Sequence, residues 1–257
     1  MKIITYNVNG IRAAYNKNFV EWLSAVRPDV LCLQESKAAI EQIDTAKLED
    51  LGYHHHWHCA QKKGYSGVGI VSKQKPKHVE YGCGLADFDN EGRIIRADFD
   101  DFSVLSVYVP SATNIDRLDF KMQFCHYLLD YVKDLRTEFP NLIISGDFNI
   151  AHNEIDIHDP VRLSKVSGFL PMEREWLSKF LDEAGMVDSF RHFNNQPGHY
   201  SWWSYRAAAR ERNKGWRLDY NFVSDTLQHK MIRSVKLPDA RHSDHCPVLT
   251  EFDPGAK

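Results

Sequence analysis

Hydrophobic positions along the chain switch between a period of two and a period near 3.6, and the switches mark its elements. Residues 2–8 form a short β-prone run, and residues 29–34 are a second apolar one. Between them Phe19, Trp22, Leu23 and Val26 recur at helical spacing until Pro28 ends the pattern, which predicts a strand-helix-strand opening. Residues 53–59, 67–72, 93–99 and 103–109 read as strands, separated by Gly, Pro, Asn and Asp clusters and expected to pair antiparallel. Residues 116–139 carry Leu118, Met122, Cys125, Leu128, Leu129, Val132 and Leu135 at helical period, and Pro140 closes that helix. Residues 141–145 then form a buried strand. The second half repeats the plan with a helix over 172–184 and strands near Tyr200 and at 218–223, 231–235 and 247–252.

Strands outnumber helices and come in two sets, which fits two packed sheets flanked by helices. No Ser/Gly/Pro-rich linker divides the chain, so one α/β domain over residues 1–254 is expected, followed by a short tail at 255–257.

Composition narrows the class. With 257 residues, 43% apolar and 26% charged, the chain can bury a sizeable core, and disorder, collagen and coiled coil are excluded. No apolar run approaches the roughly 18 residues that span a bilayer, and residues 1–5 meet Asn7, Asn9 and Arg12 too early for a secretory segment. A cytoplasmic protein without a membrane partner is the expectation. Five cysteines without Cys-x-x-Cys spacing read as reduced structural thiols. The net charge of −3 would not draw the chain to nucleic acid, but it hides local balance.

The chemistry-bearing residues end strands. Asn7, Glu35, Asp147 and Asn149 follow predicted strands, Asp219 lies within one, and Asp244-His245 precede the last. A polar strand end taken singly is a turn former; five with complementary chemistry point to a site. Oxygen ligands without a Cys/His set suit a hard cation such as Mg²⁺ or Mn²⁺ and phosphate ester chemistry.

The runs Thr5-Tyr6-Asn7-Val8-Asn9-Gly10, Leu33-Gln34-Glu35-Ser36-Lys37, Gly64-Tyr65-Ser66-Gly67-Val68-Gly69, Tyr108-Val109-Pro110, Gly146-Asp147-Phe148-Asn149, Gly215-Trp216-Arg217-Leu218-Asp219-Tyr220 and Ser243-Asp244-His245-Cys246-Pro247 resemble the exonuclease III family of abasic-site (AP) endonucleases, in order and over nearly the full length. The strand-end residues alone would mark only the wider endonuclease/exonuclease/phosphatase superfamily, which includes DNase I. The resemblance implies a DNase I-like, four-layered α/β sandwich of two pseudo-symmetric halves, with two packed mixed β-sheets and a cleft between their rims. It implies Glu35 as principal Mg²⁺ ligand, with Mn²⁺ a substitute, Asn7 beside it and Asp244 a further ligand. By the same resemblance Asp147 activates the water or protonates the leaving group, Asn149 holds water and phosphate, and both stand among the metal-site residues. Asp219 and His245 correspond to a carboxylate-imidazole pair facing the phosphate, and Tyr108 to a phenol touching it. Asn9 stands where some relatives carry Asp, which favours one essential ion.

The implied substrate is double-stranded DNA with abasic sites or 3′ blocks. Trp202, Trp216 and Leu218 match a small apolar pocket for a flipped abasic sugar. Residues 206–217 carry five basic side chains against one acidic, and Arg210 and Arg217 among them are expected to meet the backbone. Lys62, Lys63, Lys73, Lys75 and Lys77 form a second basic run, while Asp87, Asp89, Glu91, Asp98, Asp100 and Asp101 are expected on a far, acidic side. The implied activity is incision 5′ of an abasic site, with 3′-5′ exonuclease or 3′-phosphodiesterase activity, by a monomer. A phosphatase acting on a small or lipid phosphate and a DNA-binding module without catalysis are the alternatives. The histidine run 54–58 invites zinc, but strand alternation sends neighbouring imidazoles to opposite faces, so a structural or surface role is expected.

Overall fold

The computed structural model describes residues 1–253 and 255; of the expected tail, all but Gly255 lies outside the described residues. Two six-stranded sheets form the centre. The first is ordered β11 (Met231–Lys236), β12 (Val248–Phe252), β1 (Lys2–Asn7), β2 (Val30–Gln34), β4 (Val68–Ser72), β3 (His54–His58). The second is ordered β5 (His78–Tyr81), β6 (Ile94–Asp98), β7 (Ser103–Tyr108), β8 (Leu142–Asp147), β10 (Asp219–Ser224), β9 (Met186–Asp188). In each sheet a single parallel pair, β1 with β2 and β7 with β8, lies among antiparallel neighbours. The halves are therefore topologically equivalent, with β1 answering to β7 and β2 to β8.

Strand parity explains the layers. In β1 the residues Ile4 and Tyr6 face a cluster with Phe19 and Leu23 from the helix Phe19–Val26, while Ile3 packs with Val30, Val104 and Ile143 between the sheets. In β7 and β8, Leu105, Val107, Leu142 and Ile144 face the helices Leu118–Glu138 and Pro171–Glu183. Two helical layers thus cover two sheets, the four-layered sandwich expected.

Moving along each inward face toward one rim, apolar side chains give way to small polar ones and then to the site. Ile3 is followed by Thr5 and Asn7, Val104 by Ser106 and Tyr108, Ile143 by Ser145 and Asp147, and, on the antiparallel β10, Val223 by Asn221 and Asp219. The polar layer bonds the sheets together: Gln34 Nε2 donates to Ser106 Oγ (3.1 Å) and Asn221 Nδ2 to the Val248 carbonyl (3.0 Å) across the interface, while Ser145 Oγ donates to Asn221 Oδ1 (2.6 Å) within the second sheet. Fully satisfied buried groups of this kind fix one register where apolar contacts alone would tolerate several.

Three expectations change. No strand runs through Tyr200; isolated bridges tie Trp202 to Trp216 and His245 instead. The short edge strands β5 and β9, which carry no apolar run, were not anticipated. The basic run 62–77 splits across the molecule, because β4 carries Lys73 and its successors to the end opposite Glu35. There Lys73 pairs with Asp29 (2.9 Å) and Lys77 with Asp100 (2.5 Å). Conversely Glu91 sits at the site end, held by Arg93 and Arg117 (2.7 and 2.9 Å). A clean division into basic face and acidic far side does not hold. Of the β3 histidines, His58 Nδ1 meets the Ile94 carbonyl, His56 Nδ1 meets the Tyr81 hydroxyl and His55 pairs with Glu49, while His54 is exposed. No helix among the described residues is long and apolar enough to cross a membrane.

Candidate active site

At the rim where the inward faces of β1, β7, β8 and β10 end, their last side chains converge: Tyr108, Glu35, Asn7 and Asp147 join in one hydrogen-bonded chain, and Asp219 with His245 forms a pair beside it. Asn7 is its hinge: Nδ2 donates to Glu35 Oε1 and to Asp147 Oδ2, both at 2.8 Å, and so bridges the two sheets. Glu35, just past β2, takes a left-handed backbone (φ 54°), which turns its carboxylate back over the rim. Its Oε1 also accepts from the Tyr108 hydroxyl (2.9 Å), and its Oε2 pairs with Lys37 Nζ (2.5 Å). Burial opposes ionisation of Glu35, but Lys37 and Asn7 hold it below the usual carboxylate range.

Asp219 Oδ2 lies 2.8 Å from His245 Nδ1, while His245 Nε2 is 3.9 Å from Asp147 Oδ2. Burial disfavours the charged imidazole, yet Asp219, Asp147 and Asp244 outweigh it and push His245 up to about 10. Burial, joined by the charge of Asp219, pushes Asp147 up to about 7, with His245 pulling the other way. Asp147 Oδ1 accepts from the Asn149 amide (2.9 Å), an Asx turn that sets Asn149 at φ 51°. Asn149 Nδ2 donates to the Val109 carbonyl (2.9 Å), which leaves its amide oxygen for a ligand.

Beside this chain lies a cavity of about 380 Å³ lined by Trp202, Trp216 and Leu218 together with Glu35, Tyr108, Asn149, His245 and the segment Val166–Gly168. Trp202 and Trp216 meet edge to face at 6.4 Å. Asp244 lines the same cavity, but its oxygens accept from Asn9 Nδ2 (2.9 Å) and Trp202 Nε1 (3.0 Å), so it braces the indole. Among the described residues the cluster that could hold a metal ion is Glu35, Asp147 and His245, one ligand atom of each lying within 4.8 Å of the others; Asp244 is outside it. Two carboxylates and a neighbouring amide oxygen form a donor set that fits a hard cation, and the unpartnered Asp219 Oδ1 adds negative potential.

One expected substrate contact is corrected, and a second is found tied to the protein's own backbone. Arg217 is 1% exposed and paired with Asp156 (Nε to Oδ1, 2.7 Å) and Asp188 (Nη2 to Oδ2, 2.7 Å), while its Nη1 is buried without a hydrogen-bond partner, so the guanidinium does not reach the surface that DNA would meet. Arg210 stacks over Trp203 and donates to the carbonyls of Ser243, Pro238 and Ala240, pinning the loop that carries Asp244 and His245. Both thereby support the site from behind. No sequence pattern marks the segment Val166–Gly168, since a short loop of Val, Ser and Gly with mixed burial carries no periodic signal. Lys37, which pairs with Glu35, stands two residues after it on the same turn, and that spacing is the sign the sequence offers.

The Endonuclease/Exonuclease/phosphatase family pattern matches residues 4–245. An exodeoxyribonuclease of Bacillus subtilis (strain 168) is 45% identical over 251 residues, covering 96% of this chain and 98% of that one. Among solved structures, an AP endonuclease from Archaeoglobus fulgidus superposes with a TM-score of 0.91 at 31% identity, covering 98% of this chain and 99% of that one. A variant of the 3′ phosphatase NExo from Neisseria, bound to a product DNA hairpin, gives 0.92 at 32% identity, covering 98% and 99%. Fold and site together define a metal-dependent phosphodiester hydrolase, and the chain belongs to the endonuclease/exonuclease/phosphatase family. Within that family it is a DNA repair nuclease.

Proposed function

We propose that this chain is a Mg²⁺-dependent AP endonuclease that hydrolyses the phosphodiester 5′ of abasic sites in double-stranded DNA, with 3′-5′ exonuclease and 3′-phosphodiesterase activity at blocked ends. The observation that carries it is the adjacency of the Glu35-Asn7-Asp147 chain to an apolar pocket walled by Trp202, Trp216 and Leu218. A sugar without a base fits against indole faces once it has left the helix, and its 5′ phosphate then lies over His245 and Asn149.

Glu35 and Asp147 would hold the ion, with Asn149 and His245 adjoining; the ion supplies positive charge at the phosphate oxygens. The side chains supply the rest. Asp147, beside Asn149 and 3.9 Å from His245 Nε2, moves the proton at the reaction centre. Asn149 orients water and phosphate, and Tyr108 fixes Glu35 and reaches the phosphate. Asp219 keeps His245 cationic, so that the imidazolium stabilises charge as it grows on the phosphorane. The water oxygen bonds to phosphorus, the bond to O3′ breaks, and the proton lost by water balances the one O3′ gains. The ends are a 3′-hydroxyl and a 5′-deoxyribose phosphate.

A cytoplasmic monomer with residues 1–254 as one domain completes the reading. A duplex with one tetrahydrofuran abasic analogue, incubated with protein and Mg²⁺, is expected to be cut directly 5′ of the analogue and protected by EDTA. An intact strand at micromolar protein would overturn the reading.

A further inference from the structure

We propose that Lys121 and Glu173, which touch neither substrate nor ion, are positioning residues that set the width of the sugar pocket and its preference for a bare deoxyribose. The inference rests on the reading of that pocket given above.

Lys121 lies on the helix Leu118–Glu138 and Glu173 on the helix Pro171–Glu183, and both side chains are completely buried. Their ion pair measures 2.5 Å between Nζ and Oε1. Each partner then reaches a different wall of the site. Lys121 Nζ donates to the main-chain carbonyl of Asn149 (2.8 Å). Glu173 Oε2 accepts from the amides of Gly168 (2.6 Å) and Leu170 (2.9 Å), and Oε1 accepts from Ser167 Oγ (3.3 Å). One buried pair therefore ties the catalytic-rim residue Asn149 to the loop whose Val166, Ser167 and Gly168 line the pocket.

The loop has little slack elsewhere. The Gly168 carbonyl accepts from the Ala151 amide (2.7 Å), and a Cβ on Gly168 would lie 3.1 Å from both the Asn149 carbonyl and the Trp216 ring. The backbone at Gly168 is thus wedged between Asn149 and Trp216, and the carboxylate behind it decides how far it stands from the indole. A buried ion pair is weak evidence of stabilisation, because apolar replacements of similar volume are often as stable. What this pair uniquely supplies is an acceptor for two loop amides and a donor to one rim carbonyl, which apolar side chains cannot provide.

The test uses Glu173→Gln, Lys121→Met and the double variant Lys121→Met/Glu173→Leu. Three quantities are read: thermal stability, hydrogen exchange at the Gly168 and Leu170 amides, and the ratio of kcat/KM on a tetrahydrofuran duplex to that on an unmodified recessed 3′ end. Glu173→Gln is expected to speed exchange at both amides and to lower the ratio about tenfold, mainly through KM on the abasic duplex. Lys121→Met acts more on kcat, because the Asn149 carbonyl loses its donor. The double variant regains stability while the ratio stays low. A ratio within twofold of wild type in Glu173→Gln, or a ratio restored together with stability in the double variant, would overturn the proposal. If the wild-type protein fails to cut the abasic duplex, the pocket reading falls, and exchange at Gly168 and Leu170 still decides whether the pair holds the loop.

Discussion

Asp219 grips His245 from one side: its Oδ2 sits 2.8 Å from Nδ1, while its other oxygen, equally buried, has no protein partner. A carboxylate that gives one oxygen to an imidazole fixes the ring plane and the proton on Nδ1, and leaves Nε2 aimed toward Asp147. The free oxygen keeps the negative potential undiluted.

Replacing Asp219 by Asn keeps the shape and removes the charge that sustains the imidazolium. Single-turnover cleavage is expected to slow by about a thousandfold with KM little changed, since the lost interaction belongs to the transition state. A loss below tenfold would remove His245 from the role of charged stabiliser.

Asn7 donates to Glu35 and Asp147 with the same nitrogen. Asn7→Asp exchanges that donor for a third carboxylate, so three like charges share the rim. Without divalent ions the variant is expected to melt below wild type, and Mg²⁺ or Mn²⁺ is expected to raise its Tm by more than it raises that of wild type. Calorimetry with and without the ions checks this; equal shifts in both proteins would mean that Asn7 does not face the ion.

Trp216 is nearly buried and forms the indole wall against Gly168. Trp216→Ala opens that wall, so discrimination for an abasic sugar over an intact nucleotide is expected to fall by about tenfold or more while catalysis at a plain 3′ end persists. Competition between the two substrates measures it, and unchanged selectivity would take Trp216 out of the pocket.

Asp156 accepts from Arg217 and Arg191, whose guanidinium charges overcome its burial and hold its carboxyl well below the usual range. A depressed folded-state value gives stability that is complete above about pH 4, where the unfolded chain ionises, and that drains away as pH falls further. Asp156→Asn is expected to cost about 3 kcal/mol at pH 7, because two buried guanidinium groups lose their shared partner. Its stability should also fall less steeply below pH 4. Denaturant unfolding across pH 2–7 reads both, and parallel curves for the two proteins would contradict the assignment.

The site was legible because period-two parity carries each inward face to the rim: Thr5 predicts the side of Asn7, and Ser145 that of Asp147. The fold followed from the same alternation, with Leu105 and Val107 turned to the helices and Val104 to the opposite sheet. What escaped depends on distant partners. Arg217 looked like part of a basic patch because Asp156 and Asp188, which bury it, are remote in sequence. Lys73 and Lys77 looked free because Asp29 and Asp100 reach them only after β4 has crossed the sheet. Lys121 lies three residues after Leu118 and four before Cys125, on the buried helical face, where a count of apolar positions passes over a charge.

Under the proposed function, incision 5′ of an abasic sugar takes place at Asp147 and His245. Single-turnover cleavage of a tetrahydrofuran duplex by wild type and Asp147→Asn, with the Kd of each measured on the same duplex, tests it directly. Wild type should leave a 3′-hydroxyl that a polymerase extends, and Asp147→Asn should bind within a few-fold of wild type while cutting at least about a thousandfold more slowly. Near-normal cutting by Asp147→Asn, or a wild-type product that cannot be extended, would contradict it.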